Sequence, residues 1–191
     1  MKVNGVLKEF IVIHHGLPVS SVRPYDASCD GVWLLMKDIY ELRKWHTKEY
    51  PSINYSTAEI HSYLNGNFLA LLDANIQSVI KQVKIPYNAY DMEASDDSIV
   101  WYSGANGLST KIFLLAAHEV RTSGVTSKAG GLDYFKTNDD NVRKAYFNGT
   151  ATQWWTRTVA SYSSGYPTPQ QINQYGVNLN YDNGVLVQHG V

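Results

Sequence analysis

Ser56-Thr57-Ala58-Glu59-Ile60-His61-Ser62-Tyr63-Leu64-Asn65-Gly66-Asn67-Phe68-Leu69-Ala70-Leu71-Leu72 is the stretch that decides the fold class. Ser56 and Glu59 have the spacing of a capping box, in which hydroxyl and carboxylate each serve a free backbone N–H. Ile60, Tyr63, Leu64, Phe68, Leu71 and Leu72 recur at helical spacing, with Asn65-Gly66-Asn67 as a break between two pieces. Asp73 is placed to cap a second helix running to Val83, with Ile76, Val79, Ile80 and Val83 on one face. Pro86 ends it, because the residue before proline avoids the α region. Working outward, the flanks read as strands. On the N-terminal side, Asn4-Gly5 turns Met1-Lys2-Val3 back toward Lys8 to His14, Glu9 to Ile13 reads as a central strand, and Gly31 to Met36 as another. On the C-terminal side come Gln153 to Val159, Asn173 to Asn180 and Gly184 to Gln188, with Asp182-Asn183-Gly184 as a hairpin turn. Between helices and terminal strands, Tyr87 to Leu108 reads as an insertion-like loop and Lys111 to Ala117 as a buried strand. Ala116 to Val120 reads as a single helical turn, and Asn138 to Asn148 as a short helix. Strands, two helices, strands again: the expectation is α+β, with two helices flanking an antiparallel sheet and a loop-rich C-terminal half.

Composition narrows the function. The 191 residues suffice for one substantial core, and the expectation is a single domain over 1–191. Charged residues are only 17%, so Ser, Thr, Asn, Gln and Tyr carry the surface. Sixteen Lys+Arg against seventeen Asp+Glu give a net charge of -1, which excludes a global basic field for nucleic acid or a polybasic membrane patch. Partners are therefore expected to be neither nucleic acid nor membrane. No signal peptide is visible at Met1-Lys2-Val3-Asn4-Gly5. One cysteine, Cys29, excludes an internal disulfide framework and a cysteine-rich zinc site.

The reactive motifs fall away one by one. His14 and His15 are adjacent on a strand and point to opposite faces, so they do not share one metal. His118-Glu119 lacks the second histidine of an H-E-x-x-H helix, since position 122 is Thr. Cys29 lies between Asp26 and Asp30, whose carboxylates disfavour a thiolate. Acidic residues are plentiful, but no spacing selects the pair that glycoside hydrolysis needs. Asp96-Asp97 and Asp139-Asp140-Asn141 offer hard oxygens to Ca²⁺ but fit an EF-hand loop poorly, so the expectation is no cofactor, no metal and no catalytic residue. Asn54-Tyr55-Ser56 and Asn148-Gly149-Thr150 match the glycosylation acceptor pattern.

What remains is aromatic and amide surface. Trp154-Trp155-Thr156-Arg157 leads into a segment rich in Tyr, Ser, Asn and Gly, which includes Tyr162, Tyr166, Tyr175, Asn178, Asn180 and Tyr181. Flat amphipathic rings with amide and hydroxyl partners are what paratopes and sugar sites use.

Glu9 to His14, Tyr25 to Tyr40, Ser56 to Asn65, Ile80 to Tyr87, Lys111 to Leu115 and Trp154 to Arg157 resemble an uncharacterised domain family of gut bacteria and their phages. Its hallmark is Trp-Trp-Leu-Arg-Ser-Pro, from which Thr156, Thr158 and Val159 depart here. The family also continues with Arg-Pro beyond the position of Val191, and the N-terminus begins inside the first hairpin, so either the domain is trimmed at both ends or this member closes its sheet differently. The layout is similar to C-type-lectin-like domains, including the formylglycine-generating-enzyme branch, whose copper chemistry needs two cysteines where this chain has one. The resemblance implies a non-catalytic recognition or adhesion module of a phage virion (tail or capsid surface) or bacterial surface protein. Its partner would be a host cell-surface glycan or protein. Tyr162, Tyr166, Tyr175, Asn178, Asn180 and Tyr181 would form the contact surface, with Arg157 supporting it. The alternatives are a structural virion decoration or tail subunit that docks on neighbouring subunits or on itself, and, further off, a glycan-acting hydrolase.

Overall fold

The computed structural model describes residues 1–47, 54–90, 99–120, 131–137, 139–160, 168–179 and 188–191. The strands are β1 Lys2–Val3, β2 Val6–Leu7, β3 Phe10–His15, β4 Val32–Met36 and β5 Leu42–Lys44. Then come helix α1 Glu59–Tyr63, continued by a π-helical turn over Leu64–Phe68, and helix α2 Ala74–Val79. The remaining strands are β6 Val83–Ile85, β7 Tyr87–Tyr90, β8 Ile99–Tyr102, β9 Leu108–Thr110, β10 Ala145–Phe147 and β11 Thr150–Thr152. The last are β12 Trp154–Ala160, β13 Thr168–Ile172, β14 Asn178–Leu179 and β15 Gln188–Gly190. The class is α+β, with few helices and many short strands. No helix among the described residues is long and apolar enough to cross a membrane.

The main sheet has the order β14-β13-β12-β15-β5. Its pairs are antiparallel except β12 with β15, which run parallel. Among the described residues the five other sheets are two-stranded ribbons. Two of them turn on Asn-Gly pairs with positive φ at both positions, Asn4-Gly5 (49°, 74°) and Asn148-Gly149 (50°, 79°). That geometry matches the twist of a tight hairpin. Asn4-Gly5 was expected to turn the chain onto the long strand β3, but it joins only β1 to β2. β3 pairs with β4 instead, in a ribbon of its own, with a bulge at Ile13. Where a short helix was expected over Asn138 to Asn148, the described residues 139–148 hold no α-helix: a 3-10 turn at Asp140–Arg143 precedes β10.

The capping box does not form. Asn54 caps a 3-10 turn at Tyr55–Thr57, its side-chain oxygen accepting from Ser56 N at 2.9 Å. Glu59 is used elsewhere, accepting from the Thr47 hydroxyl and lying 3.4 Å from His46 Nδ1. The Asn65-Gly66-Asn67 break is a π turn, and a half-buried polar hub explains it. Asn65 Nδ2 donates to His61 O (3.1 Å) and Ile112 O (2.8 Å). Its Oδ1 accepts from Thr110 Oγ1 (3.0 Å), Lys111 N (2.9 Å) and Ile112 N (3.2 Å). One amide thus fastens the helix to the chain after β9. α2 is shorter than expected: Val83 is lost to β6, and the helix buries no residue fully.

The core gathers Trp33, Trp45, Tyr55, Ile60, Phe135 and Trp155 with aliphatic residues from both halves of the chain. Lys111 to Ala117 crosses this core without joining a sheet. Side chains satisfy much of its backbone. Leu114 N donates to Tyr55 Oη (2.9 Å), Ala117 N to Thr158 Oγ1 (2.9 Å), and Leu114 O accepts from Arg157 Nη1 (2.7 Å), while one backbone bond, Arg157 N to Leu115 O (3.0 Å), adds to them. Buried backbone groups need partners of some kind, and here a ladder is replaced by tailored side chains. The Tyr87 to Leu108 stretch also departs from its reading as a loop. β7 and β8 pair antiparallel, and Tyr87 and Tyr102 stack across them, centroids 4.9 Å apart.

Candidate functional site

Arg157 is the first predicted site residue that the structure locates, and it overturns part of its expected role. Every residue from Trp155 to Val159 is buried, because β12 is covered on both faces. Arg157 is therefore 0% exposed, and the expectation that it supports ligand contact is corrected. Its guanidinium is spent inside. Nε donates to Pro86 O (2.9 Å), Nη1 to Leu114 O and Glu119 Oε2 (both 2.7 Å), and Nη2 to Glu119 Oε1. Glu119 comes from the tight turn Ala116–Val120, the expected single turn, whose N–H of Glu119 donates to Ala116 O at 3.0 Å. It also accepts from Ala116 N (2.7 Å) and from Tyr25 Oη (2.6 Å). Such a fork-to-fork pair needs all its donors and lone pairs satisfied to survive in a dry interior, and this one comes close.

The electrostatics follow from that geometry. Burial pushes the Glu119 carboxyl up, but the Arg157 charge and its bonds outweigh burial and hold it below the ordinary carboxylate value. Burial and the neighbouring Glu119 charge raise the Tyr25 phenol well above its usual value. His118 sits beside them, 3.5 Å from Tyr25 Oη and edge-on to Trp101, whose ring is covered by Arg23 at 3.7 Å. Burial lowers His118 to about 4. Acid, phenol and guanidinium are thus locked together as scaffold, with the imidazole packed against them. Cys29 is likewise buried, its thiol donating to Lys84 O at 3.2 Å. Burial raises it to about 11, a stronger effect than the neighbouring carboxylates considered from sequence.

The His118 environment fixes a pH dependence. An unfolded His binds its proton near pH 6.5, the folded one only near pH 4. Between these values the unfolded state holds more protons, so stability is full above pH 6.5 and falls as pH drops toward 4. The expected loss is about 3 kcal/mol over that window, followed by a further loss as Glu119 protonates. Urea midpoints at pH 7 and pH 4.5, for wild type and His118→Phe, check this. A wild-type midpoint that does not move with pH contradicts it.

Elsewhere the candidate residues serve local structure. His14 is buried and lies 2.7 Å from Asp133 Oδ2, while His15 points outward, as alternation requires. Asp139 caps the 3-10 turn, accepting from Asn141 N at 2.9 Å, and Asp140 pairs with Arg143. Asp96-Asp97 lies outside the described residues. Among the described residues no group of three or more His, Cys, Asp or Glu side chains could hold a metal ion.

The two surface candidates among the described residues, Tyr175 and Asn178, lie on the β13–β14 connection and its end. Tyr175 is 65% exposed at the tip of the β13–β14 connection, and Asn178, half-buried, begins β14. Asn173 organises the tip. Its Oδ1 accepts from Tyr175 N and Val177 N (both 2.9 Å), its N donates to Val177 O (2.8 Å), and Gly176 N donates back to Asn173 O (2.9 Å). Gly176 has φ +84°, and a Cβ there would run into the backbone of Asp140. Arg143, itself buried, clamps the turn from below: Nε donates to Gly176 O at 2.9 Å, Nη1 to Val120 O at 3.4 Å, and Nη2 holds Asp140. Tyr162, Tyr166, Asn180 and Tyr181 lie outside the described residues. Sequence reading placed a strand over Asn173 to Asn180. The Asx turn was signalled by Asn173 two residues before Tyr175-Gly176, but Arg143 and Glu119 carried no local signal.

These features define an α+β domain with a saturated ionic centre and an exposed tyrosine turn. Residues 30–186 match the family described as Domain of unknown function (DUF6273), and the chain belongs to that family. No curated protein and no solved structure matches the chain.

Proposed function

We propose that the domain is a non-catalytic recognition module, displayed on a phage virion or a bacterial surface protein, that binds a host glycan or surface protein. The carrying observation is the Asn173–Val177 turn. A large amphipathic ring stands 65% exposed on backbone that is already hydrogen-bonded and clamped by Arg143. A rigid platform loses little conformational entropy on binding, which is why tyrosine on ordered loops makes good contacts. Asn178, three residues on, is half-buried with its amide oxygen covered, so Tyr175 is the described residue that carries the contact. The C-type-lectin-like reading draws support from the chain ends, where Val191 exchanges backbone bonds with Tyr40 and Glu41 and β15 pairs with β5. The terminal strand thus closes onto the N-terminal half, although onto β5 rather than β1. Weak intrinsic affinity would be raised by display in many copies.

The test is a glycan array and whole-cell binding with wild type and the Tyr175→Ala/Tyr181→Ala variant. Binding is expected to fall about tenfold or more, the equivalent of about 1.4 kcal/mol. Undiminished binding by a folded double variant removes the site.

A further inference from the structure

The ribbon β3–β4 has an edge that no strand among the described residues uses. Gly31 and Gly16 exchange both backbone bonds, Gly16 N to Gly31 O at 2.8 Å and Gly31 N to Gly16 O at 3.5 Å, and Lys37 N donates to Glu9 O at 3.0 Å. In an antiparallel pair the residues that bond the partner alternate with those that face away. The bulge lies on β3, at Ile13, so β4 keeps one parity from Gly31 to Lys37. Gly31, Trp33, Leu35 and Lys37 therefore face β3. Val32, Leu34 and Met36 direct their N–H and C=O groups the other way, where they have no partner among the described residues.

That edge borders a cleft. Residues 30–35 line a cavity of about 400 Å³ whose facing wall is Phe68, Leu72, Ile76 and Ile80. A second cavity of about 330 Å³ continues the trough, sharing Leu34, Leu35, Phe68 and Phe113 with the first. Natural edges are usually blunted by a charge, a proline or a cover. β4, Val32-Trp33-Leu34-Leu35-Met36, has neither charge nor proline, and Lys81 guards only the entrance, its Nζ on Asp30 O at 2.5 Å. Val32 and Leu34 remain 60% and 49% exposed.

We propose that this edge receives an extended segment of another protein, with apolar side chains at alternate positions, as a third strand beside β4. The hydrogen-bonding edge selects the occupant. Alternating donors and acceptors along five residues are complementary to another extended backbone, and neither a helix nor an acyl chain can satisfy them. The trough then takes every second side chain. This surface is independent of the tyrosine turn.

The probe is the acetylated, amidated peptide Thr-Val-Thr-Ile-Thr-Val-Thr, used on the full chain with backbone amide NMR. Without peptide, the amides of Val32, Leu34 and Met36 exchange fast while Trp33 and Leu35 are protected. With peptide, the three edge amides become protected. Two N-methylated peptides, one methylated at odd and one at even positions, separate backbone pairing from greasy contact. One should bind like the parent and the other about tenfold or more weaker. Leu34→Pro removes a donor that no β3 partner uses, and Leu34→Lys adds an edge charge. Each should keep the folded spectrum and lose the peptide, and Leu34→Lys decides if Leu34→Pro does not fold. Equal binding by both methylated peptides overturns the proposal. So does protection of the edge amides without peptide, or a site that takes a long-chain fatty acid and ignores the peptide.

Discussion

Glu119→Gln is expected to cost about 3–5 kcal/mol of stability, because it leaves the Arg157 guanidinium in a dry interior without its counter-charge. Both side chains are 0% exposed, so water cannot relieve the loss. Glutamine preserves shape and one acceptor, but its NH₂ replaces an oxygen that now receives either Arg157 and Tyr25 or Arg157 and Ala116 N. At this chain length the melting temperature should fall by about 10 °C or more. Adding Arg157→Met should recover part of the loss, since a buried pair replaced by apolar groups is often near neutral. Urea unfolding of the four-member cycle measures this. A single Glu119→Gln variant within about 1 kcal/mol of wild type contradicts the assignment of the pair as scaffold.

Asn65→Ala is expected to cost about 2–4 kcal/mol, from leaving up to five polar groups around a π turn without their partner. Thr110 Oγ1 and Ile112 O retain a bond to each other (3.0 Å), which tempers the total. Asn65→Asp separates the two halves of the hub. A carboxylate still accepts from Thr110, Lys111 and Ile112, but it cannot donate to His61 O or Ile112 O. Its loss should therefore lie below that of Asn65→Ala. Hydrogen exchange adds a spatial readout: protection should fall together in 59–68 and 108–112, although they are distant in sequence. Loss confined to the helix contradicts the hub.

Sequence reading succeeded where the signal is local. Gly31 to Met36 and Gln153 to Val159 are strands because short, branched or aromatic apolar runs with turn residues at their ends have few alternatives. Asn4-Gly5 makes a tight turn for the same local reason. Asn148-Gly149 is an identical turn pair, yet it was read only as a glycosylation acceptor within a short helix. The failures are non-local. Lys111 to Ala117 looks like a strand because it is apolar, but Asn65, Tyr55, Thr158 and Arg157 take its backbone groups. The Ser56–Glu59 capping box has the right spacing, and its glutamate is claimed by Thr47 and His46. Arg157 was expected to support the contact surface, but its guanidinium is spent inside on Pro86 O and Leu114 O. Its partner Glu119 lies 38 residues away, so no spacing could reveal it. Of the candidate site, Tyr175 was legible as a surface residue from its place in a segment rich in Tyr, Ser, Asn and Gly. The clamp that holds it was not, since Arg143 comes from a separate 3-10 turn.

The division between a locked ionic interior and a recognising surface is tested most directly by one paired measurement. Melting temperature and glycan-array or whole-cell signal are read on the same preparations of wild type, Glu119→Gln and Tyr175→Ala. Tyr175→Ala should keep the wild-type melting temperature and lose most of its binding, while Glu119→Gln, assayed well below its lowered melting temperature, should keep its binding. Full binding by Tyr175→Ala, or binding abolished in a still-folded Glu119→Gln, contradicts the account.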